Sequence, residues 1–271
     1  MSRSRFVIPP PSDFFLDIAD DGFAIAGDVI DPEGQLPEAS KQIQSGHWVV
    51  SPLTSRFGEC TDTTCGCSRQ FNPTAREFFK RRVIQCLAEV CAGQDGEIVC
   101  ASLGSGFLRF DLEFLEAALA VDIPISAMHL VDPKYDKSDP EHGHYLAAVA
   151  QFCGWFADRS LDVYVHTSVE ELAFRLRKTG VLPVAVLQVD CAPLTHRFDD
   201  VVRPQLEEVL QYGGLFCALT ARGGVRNDEK LGAMDAWGEI WRLIPESGRL
   251  QLTSKTRYAN GEEPKVLGED V

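Results

Sequence analysis

The sequence predicts an α/β protein: a mostly parallel sheet flanked by helices, with a small irregular extension at its N-terminus. Three observations predict it. From Glu97 onward, short apolar runs alternate with segments of helical period, as in successive βαβ units. Five such runs occur, enough for one sheet. Residues 1–70 lack the alternation and are rich in Pro, Gly and Asp.

The elements follow in order. After Pro73, the segment Ala75–Cys91 carries Phe78, Phe79, Val83, Leu87 and Val90 and reads as a helix that precedes the first strand. The apolar runs Ile98–Leu103, Ala127–Val131, Leu161–Val165, Val184–Val189 and Leu215–Leu219 are the strand candidates. Between the first two, Leu108, Leu112, Leu115 and Leu119 share one helix face. Leu146, Val149, Ala150, Cys153 and Phe156 repeat that pattern, and so do Val169, Leu172, Ala173 and Leu176. Pro204 suits the first turn of a fourth crossover helix, which carries Leu206, Val209 and Leu210 and stops by Gly213-Gly214. A last helix is expected through Leu231, Met234, Trp237 and Trp241, and Arg249–Tyr258 alternates as a strand that closes the sheet. Two short strands, Phe23–Ile30 and Trp48–Val50, are expected in the N-terminal extension. The chain accordingly divides into an irregular cap over 1–72 and an α/β domain over 73–271.

Composition narrows the partners. There are 40 Asp and Glu against 26 Lys and Arg, a formal charge of −14, which repels a phosphate backbone. The dense basic run Lys80-Arg81-Arg82 is short and suits a solvated helix face, so nucleic acid is disfavoured as a partner. No run approaches the roughly 20 apolar residues that span a bilayer, and Met-Ser-Arg-Ser-Arg-Phe lacks the apolar stretch of a signal peptide. Six of nine cysteines (Cys86, Cys91, Cys100, Cys153, Cys191 and Cys217) fall inside apolar runs, where the thiol acts as a small hydrophobe. A reducing, cytoplasmic compartment is the expectation.

The chemistry-bearing signal is Ile98–Leu103 running into Gly104-Ser105-Gly106 and then a helix. A tight strand-to-helix turn of this kind lets backbone approach a ligand closely, although a plain βα turn also uses glycine. Asp132 ends the second strand 26 residues after Gly106, and Pro133 biases it toward an extended conformation. An acidic side chain there can accept hydrogen bonds from both ribose hydroxyls, or simply cap a turn. Dinucleotide binding is the competing use. Its G-x-G-x-x-G pattern needs glycine where this chain has Arg109, which makes NAD or FAD the second choice.

In the order and spacing of these elements, from about Ala75 to Tyr258, the chain resembles the Rossmann-like class I S-adenosylmethionine-dependent methyltransferases. The family's first motif reads Asp-h-Gly-x-Gly-x-Gly, where h is apolar. This chain has Ser102-Leu103-Gly104-Ser105-Gly106-Phe107-Leu108, with Ser102 in place of the acid and Leu108 in place of the last glycine. The resemblance implies that Gly104 and Gly106 lie against the methionine portion of S-adenosylmethionine and that Asp132 takes the ribose, with Ser102 and Ser105 of the same turn also expected to bind the cofactor. It further implies that Thr167 or Ser168, after the third strand, contacts the adenine. The segment Val189-Asp190-Cys191-Ala192-Pro193 stands where the family places residues near the transferable methyl, so Asp190 could orient an acceptor or accept its proton. The Asn/Asp-Pro-Pro-Tyr tetrad of amino-methylating nucleic-acid and glutamine enzymes is absent there. A small molecule or protein side chain is therefore the expected acceptor. A Rossmann-like nucleotide-binding protein without methyl transfer remains the alternative, as Ser102 and Leu108 would permit.

Two further clusters could bind metal. Cys60, Cys65 and Cys67 could hold zinc with His47, form a disulfide or redox pair, or be small loop residues without site chemistry. Asp139, Glu141, His142 and His144 resemble ligands, but acidic residues are expected at a helix start, and histidines two apart point to different helix faces. Asp190, Asn227 and Asp228 could serve a catechol-type metal site. No metal is assigned to any of these groups.

Overall fold

A computed structural model describes residues 57–58, 66–68, 71–92, 96–189, 198–221 and 235–267. Helix α1 (Ala75–Cys91) leads into β1 (Ile98–Leu103), α2 (Arg109–Ala120), β2 (Ile125–Val131), α3 (His142–Trp155), β3 (Asp162–His166), α4 (Val169–Thr179) and β4 (Ala185–Val189). A π-helical turn (Phe198–Val202) runs into α5 (Arg203–Val209), followed by β5 (Leu215–Ala221), β6 (Ala236–Ile244), β7 (Arg249–Tyr258) and β8 (Lys265–Val266).

The strands form one eight-stranded sheet in the order β3-β2-β1-β4-β5-β6-β7-β8. Pairings from β3 to β5 are parallel and those from β5 to β8 antiparallel. This is a Rossmann-like sheet with an antiparallel extension on one side. Parallel strands need crossovers and so are covered on both faces, which is why their sequences read as continuous apolar runs. One face carries α1, α2 and α3, through residues such as Phe79, Leu115 and Phe152. The other carries α4 and α5, through Leu172, Leu176, Leu206 and Val209. Phe57 and Cys67, upstream of α1, are buried in the first of these cores.

The expected helix through Leu231, Met234, Trp237 and Trp241 is overturned over its second half, because Trp237 and Trp241 lie in β6. Leu231 and Met234 lie outside the described residues. Residues four apart share a face in a helix and also in a strand, so two tryptophans at that spacing fit both. Glu239 stands between them on the same strand face, a charge that a buried strand does not ordinarily carry. It is tolerated here because Lys255 Nζ on β7 sits 2.8 Å from its carboxylate. Gly238 is required on the opposite face, where a Cβ would lie 2.7 Å from Tyr258 and 2.9 Å from Phe79.

The carboxyl ends of β1 and β4, adjacent in the sheet, face the point where successive crossovers diverge. Ligands of open α/β sheets bind outside the strands at this switch point.

Candidate functional site: a crevice at the switch point

The turn after β1 is built by its neighbour. The carbonyl of Val131, last in β2, accepts from the N–H of Gly104 at 2.8 Å and of Ser105 at 3.2 Å. Gly106 N–H donates to Asp132 Oδ2 at 2.9 Å, and Lys134 N–H donates to Asp132 Oδ1 at 2.9 Å. The Asp132 backbone N–H in turn reaches the His166 carbonyl on β3 at 3.1 Å. Asp132 is thus clamped between two strands and the glycine turn, 7% exposed. Its carboxylate uses two of about four lone-pair directions on these amides, which leaves acceptor capacity toward the crevice. Since three turn N–H groups are already committed, the turn offers a ligand close approach rather than donors.

The backbone of the turn is left-handed at three alternate positions: Gly104 (φ 65°), Gly106 (φ 53°) and Leu108 (φ 60°). Glycine adopts this region freely; a leucine does so at a cost of about 1–2 kcal/mol. Leu108 is held there by burial, at 0% exposure, and by a short parallel bridge to Gly58. Leucine thus occupies at the third place a conformation that glycine adopts freely. Leu108→Gly should relieve the dihedral but vacate the core, where losing a buried leucine costs about 2–5 kcal/mol. A net loss of about 1–3 kcal/mol in urea unfolding is expected. A gain in stability would show that strain outweighs packing.

Around the turn lies a crevice of ≈ 510 Å³. Ser102, Gly104, Ser105, Gly106 and Asp132 all line it, so the structure brings these five expected residues together. Ser105 is fixed by its hydroxyl, 2.8 Å from that of buried Tyr135. Phe107 and Tyr145 add an aromatic wall, ring centroids 4.3 Å apart. Val189, at the end of β4, closes another side.

Thr167 and Ser168 are engaged elsewhere. Thr167 donates through its N–H and hydroxyl to Glu171 Oε2, at 2.7 and 2.9 Å, while Ser168 Oγ caps α4 by accepting from Glu171 N–H at 3.2 Å. This reciprocal arrangement is a helix N-cap, and neither residue lines the crevice. Asp190 lies outside the described residues, as do His47, Cys60, Cys65, Asn227 and Asp228. Cys67 is fully buried and its carbonyl accepts from Arg76 Nε at 2.8 Å. Asp139 accepts from Glu141 N–H at 2.8 Å, a helix-start role. Among the described residues no three His, Cys, Asp or Glu side chains form a metal-sized group. No helix among them is long and apolar enough to cross a membrane.

Sequence reasoning passed over two buried charges of the crevice, Arg76 and Asp111. The signal was present, because each stands on the apolar stripe of its own helix: Arg76 with Phe79, Val83 and Leu87, and Asp111 with Leu108, Leu112 and Leu115. A charge on a core stripe needs a partner or a task.

No family model matches the chain and no curated protein matches it. Solved structures similar to it are distant. CalS11, a TDP-rhamnose 3′-O-methyltransferase of calicheamicin biosynthesis, is 14% identical over 84% of this chain and 86% of its own, with a TM-score of 0.41. The rRNA methyltransferase AviRa from Streptomyces viridochromogenes is 13% identical over 60% of this chain and 84% of its own, with a TM-score of 0.35. A provisionally assigned S-adenosylmethionine-dependent methyltransferase from Streptococcus mutans is 18% identical over 50% of this chain, TM-score 0.32, and the match spans only 34% of that longer protein. Similarity at this level leaves substrate and reaction open.

Proposed function

We propose that the crevice binds S-adenosylmethionine and that the chain is a methyltransferase acting on a small molecule or a protein side chain. One observation carries the reading: the Asp132 carboxylate and the Gly104-Ser105-Gly106 turn meet at the sheet's switch point, joined by the 2.9 Å bond from Gly106 N–H. A carboxylate fixed there with acceptor capacity to spare suits the two hydroxyls of a ribose. The aromatic wall of Phe107 and Tyr145 suits the flat face of a purine. The volume and the mixed lining suit a nucleoside with a short polar tail.

Bound there, the cofactor supplies a methyl group on a sulfonium sulfur. The protein's part is alignment of the acceptor in a closed pocket and, for a weak nucleophile, removal of its proton. Asp190 is proposed for that second task, since its neighbour Val189 lines the crevice. The N-terminal segment is proposed to help select the acceptor, since Gly58 lines the crevice as well.

A second reading, a Rossmann-like nucleotide-binding protein without methyl transfer, is favoured by one observation: both Asp132 oxygens already hold backbone amides, which a purely structural aspartate would also do. Calorimetry separates the two. S-adenosylhomocysteine is expected to bind with micromolar affinity and to lose binding in Gly104→Val, which puts a β-branched residue at φ 65° in the crevice lining. Absence of binding to the wild-type chain, together with a melting shift induced by NAD, would replace the methyltransferase reading.

A further inference from the structure

Asp111 is unexplained by the clamp around Asp132. It sits in the first turn of α2, 3% exposed, and lines the crevice with Arg76 and Ser102. Its Oδ1 has no hydrogen-bond partner. Burial pushes its carboxyl up to about 6, and the Ser102 hydroxyl and the Arg76 guanidinium draw it back only in part. A buried acceptor without a partner is destabilising, and asparagine would fill the same space without the charge. Groups kept in a crevice at such a cost are those a ligand completes.

Two further cations line the crevice and form ion pairs, Arg109 with Glu113 and Lys134 with Asp139 and Glu141. Arg76 is held against the wall by its bond to the Cys67 carbonyl. A carboxylate and a guanidinium side by side in a buried recess match a ligand that carries both charges on adjacent atoms.

Resting on the cofactor reading above, we propose that Asp111 receives the α-ammonium group at the amino-acid end of the ligand, with Arg76 beside the neighbouring α-carboxylate. The pair thus reads a zwitterion, and it does so from two helices rather than from the glycine turn. Ser102 then serves as a positioning residue that orients the Asp111 carboxyl.

The test compares two probes. S-adenosylhomocysteine carries the zwitterionic end; 5′-methylthioadenosine keeps the nucleoside and thioether and lacks that end. In Asp111→Asn, S-adenosylhomocysteine is expected to weaken about 10- to 100-fold while 5′-methylthioadenosine changes less than about threefold. The ligand-free variant is expected to melt above wild type, since it loses a buried charge whose Oδ1 has no hydrogen-bond partner. Asp111→Ser, a smaller side chain, gives a second reading of the same selectivity if the amide disturbs the fold. Equal weakening of both probes, or none for either, overturns the role of Asp111 and leaves the nucleoside site standing. Wild-type protein that binds neither probe overturns both the cofactor reading and this one.

Discussion

Asp132→Ala is expected to abolish measurable binding of S-adenosylhomocysteine and to lower the stability of the ligand-free chain. Two effects add. The carboxylate holds the N–H groups of Gly106 and Lys134, both at 2.9 Å, and hydrogen bonds to a charged partner contribute about 1.5–3 kcal/mol each. Losing both loosens the Gly106 end of the turn, which stays tied to β2 through the Val131 carbonyl, with an expected fall of about 3–6 kcal/mol in urea unfolding. The binding loss adds the two proposed ribose contacts and should exceed about 100-fold, equivalent to roughly 3 kcal/mol. Asp132→Asn is expected to fail as well, because its NH₂ group would face one of the two backbone donors. Calorimetry below the unfolding transition separates binding from folding. Full affinity in a folded Asp132→Ala protein would reduce Asp132 to a structural cap.

Acid sensitivity is the second large expected effect, and it arises beneath the site rather than in it. His129 Nδ1 and His166 Nε2 lie 2.9 Å apart on β2 and β3, both rings buried. His166 Nδ1 has no partner. Burial lowers both pKa values below the ordinary histidine range, and the nearby Arg175 guanidinium adds to the shift in each. The unfolded chain therefore binds more protons than the folded one between the two sets of pKa values. Stability from this pair is present above about pH 6.5 and is lost as pH falls toward 4, at about 1.4 kcal/mol per pH unit for each histidine. Asp111 works in the opposite direction over part of that range, because its raised pKa lets the folded chain take up a proton first. Comparison with His129→Gln/His166→Gln isolates the pair: the variant should gain on wild type by about 2–3 kcal/mol per unit between pH 6 and 4. Parallel stability curves for the two proteins would show that the histidines do not titrate between these states. The carbonyl of His166 accepts the Asp132 N–H, so the same protonation acts one hydrogen bond from the crevice.

Much of this architecture was legible in the residues. Helix α1 and strand β1 occupy Ala75–Cys91 and Ile98–Leu103, as their apolar patterns require. The remaining parallel strands begin or end within a few residues of their apolar runs, since periodicity marks an element's interior more sharply than its ends. The crevice was legible where chemistry was local, in Gly104, Gly106 and Asp132. It was illegible where three-dimensional pairing decides. Nothing near Glu239 in the sequence announces Lys255, 16 residues on, yet that partner is what allows a strand through Trp237 and Trp241. Thr167 and Ser168 read as ligand contacts from position alone, while Glu171, three residues beyond Ser168, engages them in a cap. Asp111 sits in the first turn of α2, where acidic residues are common, and only its burial on the apolar stripe sets it apart.

The left-handed Leu108 bears on how such turns are recognised at all. A search pattern written in amino-acid letters demands glycine at that place and passes over this chain. A pattern written in dihedral angles finds the same left-handed value there as at Gly104 and Gly106. In this turn the handedness of the backbone alternates regularly, spelled twice with glycine and once with a buried aliphatic residue.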